Sequence, residues 1–321
     1  MRAACFGLAL LAFAASAAPL GERPEVRSFI GELVERHGFS EGDLERVFSR
    51  VERLEPVLQS VTPAERPPWE EYRAQFVNER RIAGGLAFWQ ANRSHLERAE
   101  REYGVPASIV VAILGVETNY GRNMGRYRVI DALATLAFDY APRATFFRSE
   151  LEQYLLLARE GDFDVFALRG SYAGAIGLPQ FMPRSVRHYG VDFDGDGAID
   201  LRRSSADAIG SVANFLKSHG WEPGGPVAFR ALVPAEVAPA YADGSVVPRH
   251  RLADLLIAGI SLAPAPASEE GLAALISLGS EYRVGLQNFY VITRYNRSAY
   301  YASAVADLAE ALAAARATAA K

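Results

Sequence analysis

Glu117 closes an apolar run, Ile109-Val110-Val111-Ala112-Ile113-Leu114-Gly115-Val116, and precedes Thr118-Asn119-Tyr120-Gly121. The run is either a buried strand or a buried helix; Pro106 at its start and the apolar stretches around it favour a helix. A carboxylate at a helix C-terminus meets the negative end of the helix dipole, and apolar neighbours exclude water. Both effects favour the neutral acid and raise its pKa, the state a general acid needs near neutrality. The plain alternative is a surface glutamate in a fraying last turn.

Three more segments carry chemically useful side chains. Gly170 to Pro183 packs three glycines and two prolines among small and aromatic residues. Glycine permits close backbone approach and positive φ. Ser171 and Gln180 supply a hydroxyl and an amide suited to sugar hydroxyls and acetamido groups, although a tight structural turn would read the same way. Asp192-Phe193-Asp194-Gly195-Asp196-Gly197-Ala198-Ile199-Asp200 matches the start of an EF-hand-type loop, with Asp192, Asp194 and Asp196 as ligands and the Ala198 carbonyl as the fourth. Position twelve is Arg203 instead of a carboxylate, and Asp207 is the nearest replacement. Three carboxylates this close repel one another without a cation, so the loop suggests a structural calcium. Last, Asn288 to Asn296 interleaves aromatic residues with amides; aromatic faces stack on sugar rings. An ordinary strand-to-helix junction shares that pattern.

The elements that must position these groups read as mostly helical. Ser40 with Asp43 three residues on forms a capping box, followed by Leu44, Val47, Phe48 and Val51 at helical spacing. Trp69–Tyr103 reads as one or two helices, with Phe76, Leu86, Phe88, Trp89 and Leu96 as core candidates. Helical patterns continue over 130–140, 145–159 and 207–219, and a last helix spans about 300–315. Residues 222–287 differ: short apolar runs separated by turn pairs such as Pro223-Gly224 and Asp243-Gly244 indicate a small β-containing insert.

Composition narrows the function classes. The 321 residues carry a net charge of −4 without charge blocks, which gives no footprint for nucleic acid. One cysteine and five scattered histidines exclude a disulfide framework and His- or Cys-rich metal clusters. Residues 1–18 read as a secretory signal: Arg2, an apolar stretch, then small residues before Pro19. The stretch falls short of the roughly 20 apolar residues of a membrane span. Cys5 precedes the apolar run, where it is badly placed for lipidation. The expectation is an exported, periplasmic, soluble mature chain without a transmembrane segment.

In this order, the motifs resemble those of the lytic murein transglycosylases of the membrane-bound type B family. The residues concerned are Gly115–Gly121, Asp131–Leu136, Gly170–Pro183, the aspartate loop, Asp207–Asn214 and Asn288–Asn296. The resemblance implies an α+β, mainly α-helical fold: a lysozyme-like core, a helical N-terminal region and a small β-containing insert. It implies cleavage of the β-1,4 bond between N-acetylmuramic acid and N-acetylglucosamine in peptidoglycan, leaving 1,6-anhydromuramoyl ends. Glu117 falls on the family's single catalytic acid. Ser171, Gln180, Tyr295 and Asn296 fall on cleft positions, as do Tyr72, Phe181 and Met182. Phe146 and Phe215 stand where related proteins can carry tyrosine, so those hydroxyls are missing here.

The expected organisation is a signal at 1–18, a helical region over 19–98, the catalytic core with its aspartate loop over 99–221, the insert over 222–287, and a return to the core over 288–321. No cofactor is expected for catalysis. Glycan strands are the expected partner, with other cell-wall synthesis or hydrolysis proteins as further candidates. Two other classes fit the same residues: a muramidase that admits water to C1, and a non-catalytic wall-glycan-binding protein.

Overall fold

The computed structural model describes residues 19–61 and 65–319; the expected signal at 1–18, with Cys5, lies outside them. Packing divides the chain into two units, one ending at Leu54 and one starting at Glu55. In the first, α1 (Pro24–His37) ends at Gly38 in the left-handed region, and α2 (Glu41–Phe48) starts at Ser40, whose hydroxyl accepts the Asp43 amide. The two bury Phe29, Ile30, Leu33, Leu44 and Phe48.

The second unit spans the expected boundary at 98. It begins with α3 (Glu55–Ser60), α4 (Trp69–Phe76), α5 (Glu79–Ala91) and α6 (Arg93–Tyr103), of which α4, α5 and α6 pack on the helices that carry the site. The one or two helices expected over 69–103 are three, broken at Val77-Asn78 and Asn92. Trp69, Trp89 and Leu96 are buried, while Phe76, Leu86 and Phe88 are half-buried.

At the centre lies α7 (Ala107–Thr118), with Pro106 as its N-cap. Residues 109–114 are apolar on every side, which leaves no face for water, and α5, α6, α11 and α15 enclose them. The chain continues through β1 (Tyr127–Arg128), α8 (Val129–Asp139), α9 (Ala144–Glu160), β2 (Arg169–Gly170), α10 (Pro183–Tyr189) and α11 (Ser205–Ser218). Antiparallel pairing of β1 with β2 sets Tyr127 opposite Gly170 and ties the segment after α7 to the glycine-rich loop.

The insert holds β3 (Ala228–Leu232), α12 (Ala238–Tyr241), β4 (His250–Arg251), α13 (Leu252–Ile257), β5 (Ser261–Ala263), β6 (Leu272–Ser277) and β7 (Tyr282–Gly285). Its antiparallel sheet runs β4-β6-β7-β3-β5 and has its own core of Leu252, Leu255, Ile260, Leu275 and Val284. The chain returns as α14 (Gln287–Tyr295) and α15 (Ala299–Ala319). The Asn288–Asn296 segment is therefore a helix and its cap, not a strand-to-helix junction.

Asp307 on α15 is 3% exposed and is held by Arg73 of α4 and Arg283 of β7. Glu281 accepts from Arg283 and from the Trp69 indole. This network fixes α15 against α4.

Candidate active site

Glu117 occupies the penultimate position of α7 and is half-buried. Burial raises its pKa from 4.5 to about 7, against the opposing effect of one hydrogen bond. That bond comes from the Tyr301 hydroxyl on α15, which donates to Oε1 at 2.6 Å. An acid so tuned is half protonated at neutral pH, able to give a proton and take one back. Among the described residues no second carboxylate contributes to the shift. Asp131, on α8, is instead in an ion pair with Arg128.

The turn after Glu117 is strained and locked. Asn119 and Tyr120 have φ of 52° and 60°, unusual for residues with side chains and most of all for a bulky tyrosine. The Tyr120 ring lies where a side chain at position 85 or 115 would sit: a Cβ there would come within 2.5 or 2.7 Å of its hydroxyl. That hydroxyl donates to the Arg81 carbonyl, and the Arg81 guanidinium donates to the Gly115 carbonyl. Thr118 donates to the Leu178 carbonyl and accepts the Gly121 amide, joining the helix end to the glycine-rich loop.

Aromatic residues wall the acid. Tyr301 stacks on Tyr295 with centroids 6.3 Å apart, and Tyr295 meets Phe215 at 4.9 Å and Phe181 at 5.7 Å. The Tyr295 hydroxyl donates to the Pro179 carbonyl. On the other side, Tyr72 packs against Trp69 and Tyr300. Burial first, and the Glu117 charge after it, hold the Tyr295 and Tyr301 phenols well above their usual range. Tyr72 is also raised by burial, with Arg66 opposing and Glu117 adding. The four groups therefore form one electrostatic cluster.

Ser171 and Gln180 share a cavity of about 480 Å³ with Tyr127 and Tyr172. Ser171 Oγ accepts the amides of Ala173 and Ala175, so its proton stays free to donate outward. Gln180 has φ of 52° and donates to the Gly177 carbonyl at 2.8 Å, leaving its amide oxygen as the acceptor.

The sequence profile of the transglycosylase SLT domain matches residues 21–310. The chain belongs to this family. It is 42% identical over 308 residues to membrane-bound lytic murein transglycosylase B of Escherichia coli K12, covering 91% of this chain and 84% of that protein. Among solved structures it is similar to soluble lytic transglycosylase SltB1 from Pseudomonas aeruginosa, at 49% identity and a TM-score of 0.86, over 92% of this chain and 100% of that one. It is also similar to the Escherichia coli lytic transglycosylase Slt35 in complex with calcium, at 42% identity and a TM-score of 0.84, over 92% and 95% of the two chains. The fold is thus α+β and mainly helical, as the motifs implied.

The aspartate loop is well formed. Asp192, Asp194 and Asp196 bring one oxygen each to within 4.8 Å of one another. Asp192 accepts the amides of Gly195, Asp196 and Gly197, and Ser204 donates to Asp194, which lowers that carboxyl's pKa. Asp207, the expected further ligand, lies outside this group of three carboxylates. It is 1% exposed, and its two oxygens accept the amides of Phe193 and Asp200, each at 2.8 Å, so it braces the loop from beneath. Phe193 anchors the same loop, buried against Gly210 with the Arg98 guanidinium 4.0 Å from its ring centre.

Phe181 and Phe215 are 2% and 6% exposed, and both rings pack against Tyr295. Met182 is half-buried at the N-cap of α10, and Asn296 is exposed at the C-cap of α14. Phe146, on α9, is 37% exposed beneath Arg143, and none of its described contacts joins it to the Glu117 cluster. Sequence reading missed Tyr301, because a tyrosine in an alanine-rich helix almost two hundred residues away carries no local sign of its partner. Gly85 and Gly115, one on each of two helices, were the readable sign that a large side chain crosses there.

Proposed function

We propose that the protein is a peptidoglycan lytic transglycosylase in which Glu117 acts first as acid and then as base. One observation carries this reading: a carboxyl that burial holds near neutrality against the Tyr301 hydrogen bond, with no second carboxylate among the described residues acting on it, whereas ordinary glycosidases place two across the bond. Neutral Glu117 protonates the glycosidic oxygen as its bond to C1 breaks. The substrate's acetamido carbonyl oxygen supports the electron-poor C1, held by Ser171 and Asn296. Ionised Glu117 then removes the C6 hydroxyl proton as O6 closes on C1. The acid is restored and no water is consumed. Tyr301 steadies the ionised form between the two proton transfers.

The similarity to lytic murein transglycosylase B supports peptidoglycan as substrate. Tyr72, Gln180, Met182 and Tyr295 complete the cleft in this reading, with Phe146 at its margin. Asp192, Asp194, Asp196 and the Ala198 carbonyl would hold a structural calcium, which would offset the repulsion among the three acids. No helix among the described residues is long and apolar enough to cross a membrane. Export by residues 1–18 to the periplasm agrees with a wall substrate, and other wall-active proteins are the partners such a site would meet.

The test is clearance of purified sacculi. The parent should lower their turbidity. The Glu117→Gln variant should lose about 10²–10⁴-fold of that rate while still sedimenting with the sacculi. Undiminished clearance by the variant would contradict the assignment.

A further inference from the structure

Beside the glycine-rich loop the chain presents arginines that no carboxylate neutralises. Arg122 and Arg126 line the 480 Å³ cavity that also holds Ser171 and Gln180, and its lining includes no acidic residue. Both are exposed, and neither guanidinium is in an ion pair among the described residues; Arg126 packs only over the Tyr127 ring, at 5.4 Å. An adjoining cavity of about 300 Å³ shares Asn123 with the first and is lined by Arg80 and Arg81, again without a carboxylate. Elsewhere Arg73, Arg128, Arg187 and Arg283 each have an acidic partner. An unneutralised basic wall in a chain of net charge −4 is therefore a local arrangement.

The backbone that displays these side chains is fixed. The Asn123 amide donates to the Thr118 carbonyl at 2.9 Å. Gly125 has φ of 86°, and a Cβ there would lie 2.0 Å from the Gly170 carbonyl oxygen, so the segment is pressed directly onto the glycine-rich loop. Pairing of β1 with β2 closes its far end. Arg122 thus stands five residues beyond Glu117 on a clamped turn.

We propose that Arg122 and Arg126 form a subsite for the carboxylates of the peptide stems carried by the glycan strand, and so set the enzyme's preference for stem-bearing substrate. The inference rests on peptidoglycan being the substrate. Guanidinium groups bind carboxylates through paired, charge-assisted hydrogen bonds, which a neutral sugar cannot supply. Glycan hydroxyls and acetamido groups are left to Ser171 and Gln180, while the arginines reach the acidic substituents.

The experiment compares kcat/KM on glycan strands bearing their stems with that on the same strands after an amidase has removed them. The doubly substituted Arg122→Ala, Arg126→Ala protein should lose about tenfold on stem-bearing strands. On stem-free strands it should stay within about twofold of the parent, which also reports that it is folded. Charge reversal, Arg122→Glu with Arg126→Glu, should deepen the loss on stem-bearing strands alone. The parent's preference should shrink as salt rises to about 0.5 M. Equal losses on both substrates, or none on either, would overturn the subsite. A parent that releases no product from either substrate would overturn it together with the reading on which it rests.

Discussion

Replacing Glu117 by Gln keeps the side chain's shape and removes its ionisation, so it should alter stability in a pH-dependent way. Burial moves the carboxyl from 4.5 to about 7, which means that the folded protein holds a proton the unfolded chain releases. Stability should therefore fall as pH rises from about 4.5 through 7, and stay low above it. The displacement corresponds to about 3 kcal/mol at pH 8. The Glu117→Gln protein escapes that penalty, and its amide oxygen can still accept from Tyr301. At about 2–4 °C per kcal/mol for a chain near this size, it should melt about 6–12 °C above the parent at pH 8. Near pH 4, where the parent's acid is neutral in both states, the two should melt together. Calorimetry at pH 4, 6 and 8 measures the offset. An offset that does not change with pH would show that Glu117 ionises as an exposed glutamate does, and would remove the physical basis for its role.

Removing the donor in Tyr301→Phe should raise the Glu117 pKa above 7, since that bond favours the carboxylate; the alkaline limb of the pH–rate profile should move up by about one unit, with kcat about tenfold lower. An unmoved limb would separate Tyr301 from the acid's titration. Added calcium should raise the parent's melting temperature, and Asp194→Ala with Asp196→Ala should abolish that rise while leaving the calcium-free protein near the parent. Asp207→Ala should instead destabilise the protein by about 2–5 kcal/mol with or without calcium, because two amides lose their acceptor. A parent indifferent to calcium would eliminate the loop as a cation site.

How far the sequence revealed this site depends on how local each signal is. Glu117 was legible because its anomaly, an acid closing an apolar run, lies within one helix. The Ser40 cap and the aspartate loop were legible for the same reason: their bonding partners are three to five residues away. Asp207 shows the limit. Its spacing from the loop suggested a ligand, but not that burial at the first turn of α11 would give it two backbone amides as partners. Phe181 and Phe215 belonged to the right cluster but to its covered side, a distinction that only packing decides. Tyr301, Asp307 and the Gly85–Tyr120–Gly115 crossing depend on contacts between distant helices, for which helical periodicity gives a face but not a partner. The division at Leu54 escaped notice because the helices before and after it share one composition.

The central claim is that the bond is broken by one carboxyl with the substrate's own hydroxyl as nucleophile. Mass spectrometry of muropeptides released from purified peptidoglycan, beside the Glu117→Gln control, tests it directly. The parent should release 1,6-anhydro products, one water lighter than hydrolysed ones, and the control none. Reducing-end products from the parent would contradict it, since water would then have reached C1 in place of the C6 hydroxyl.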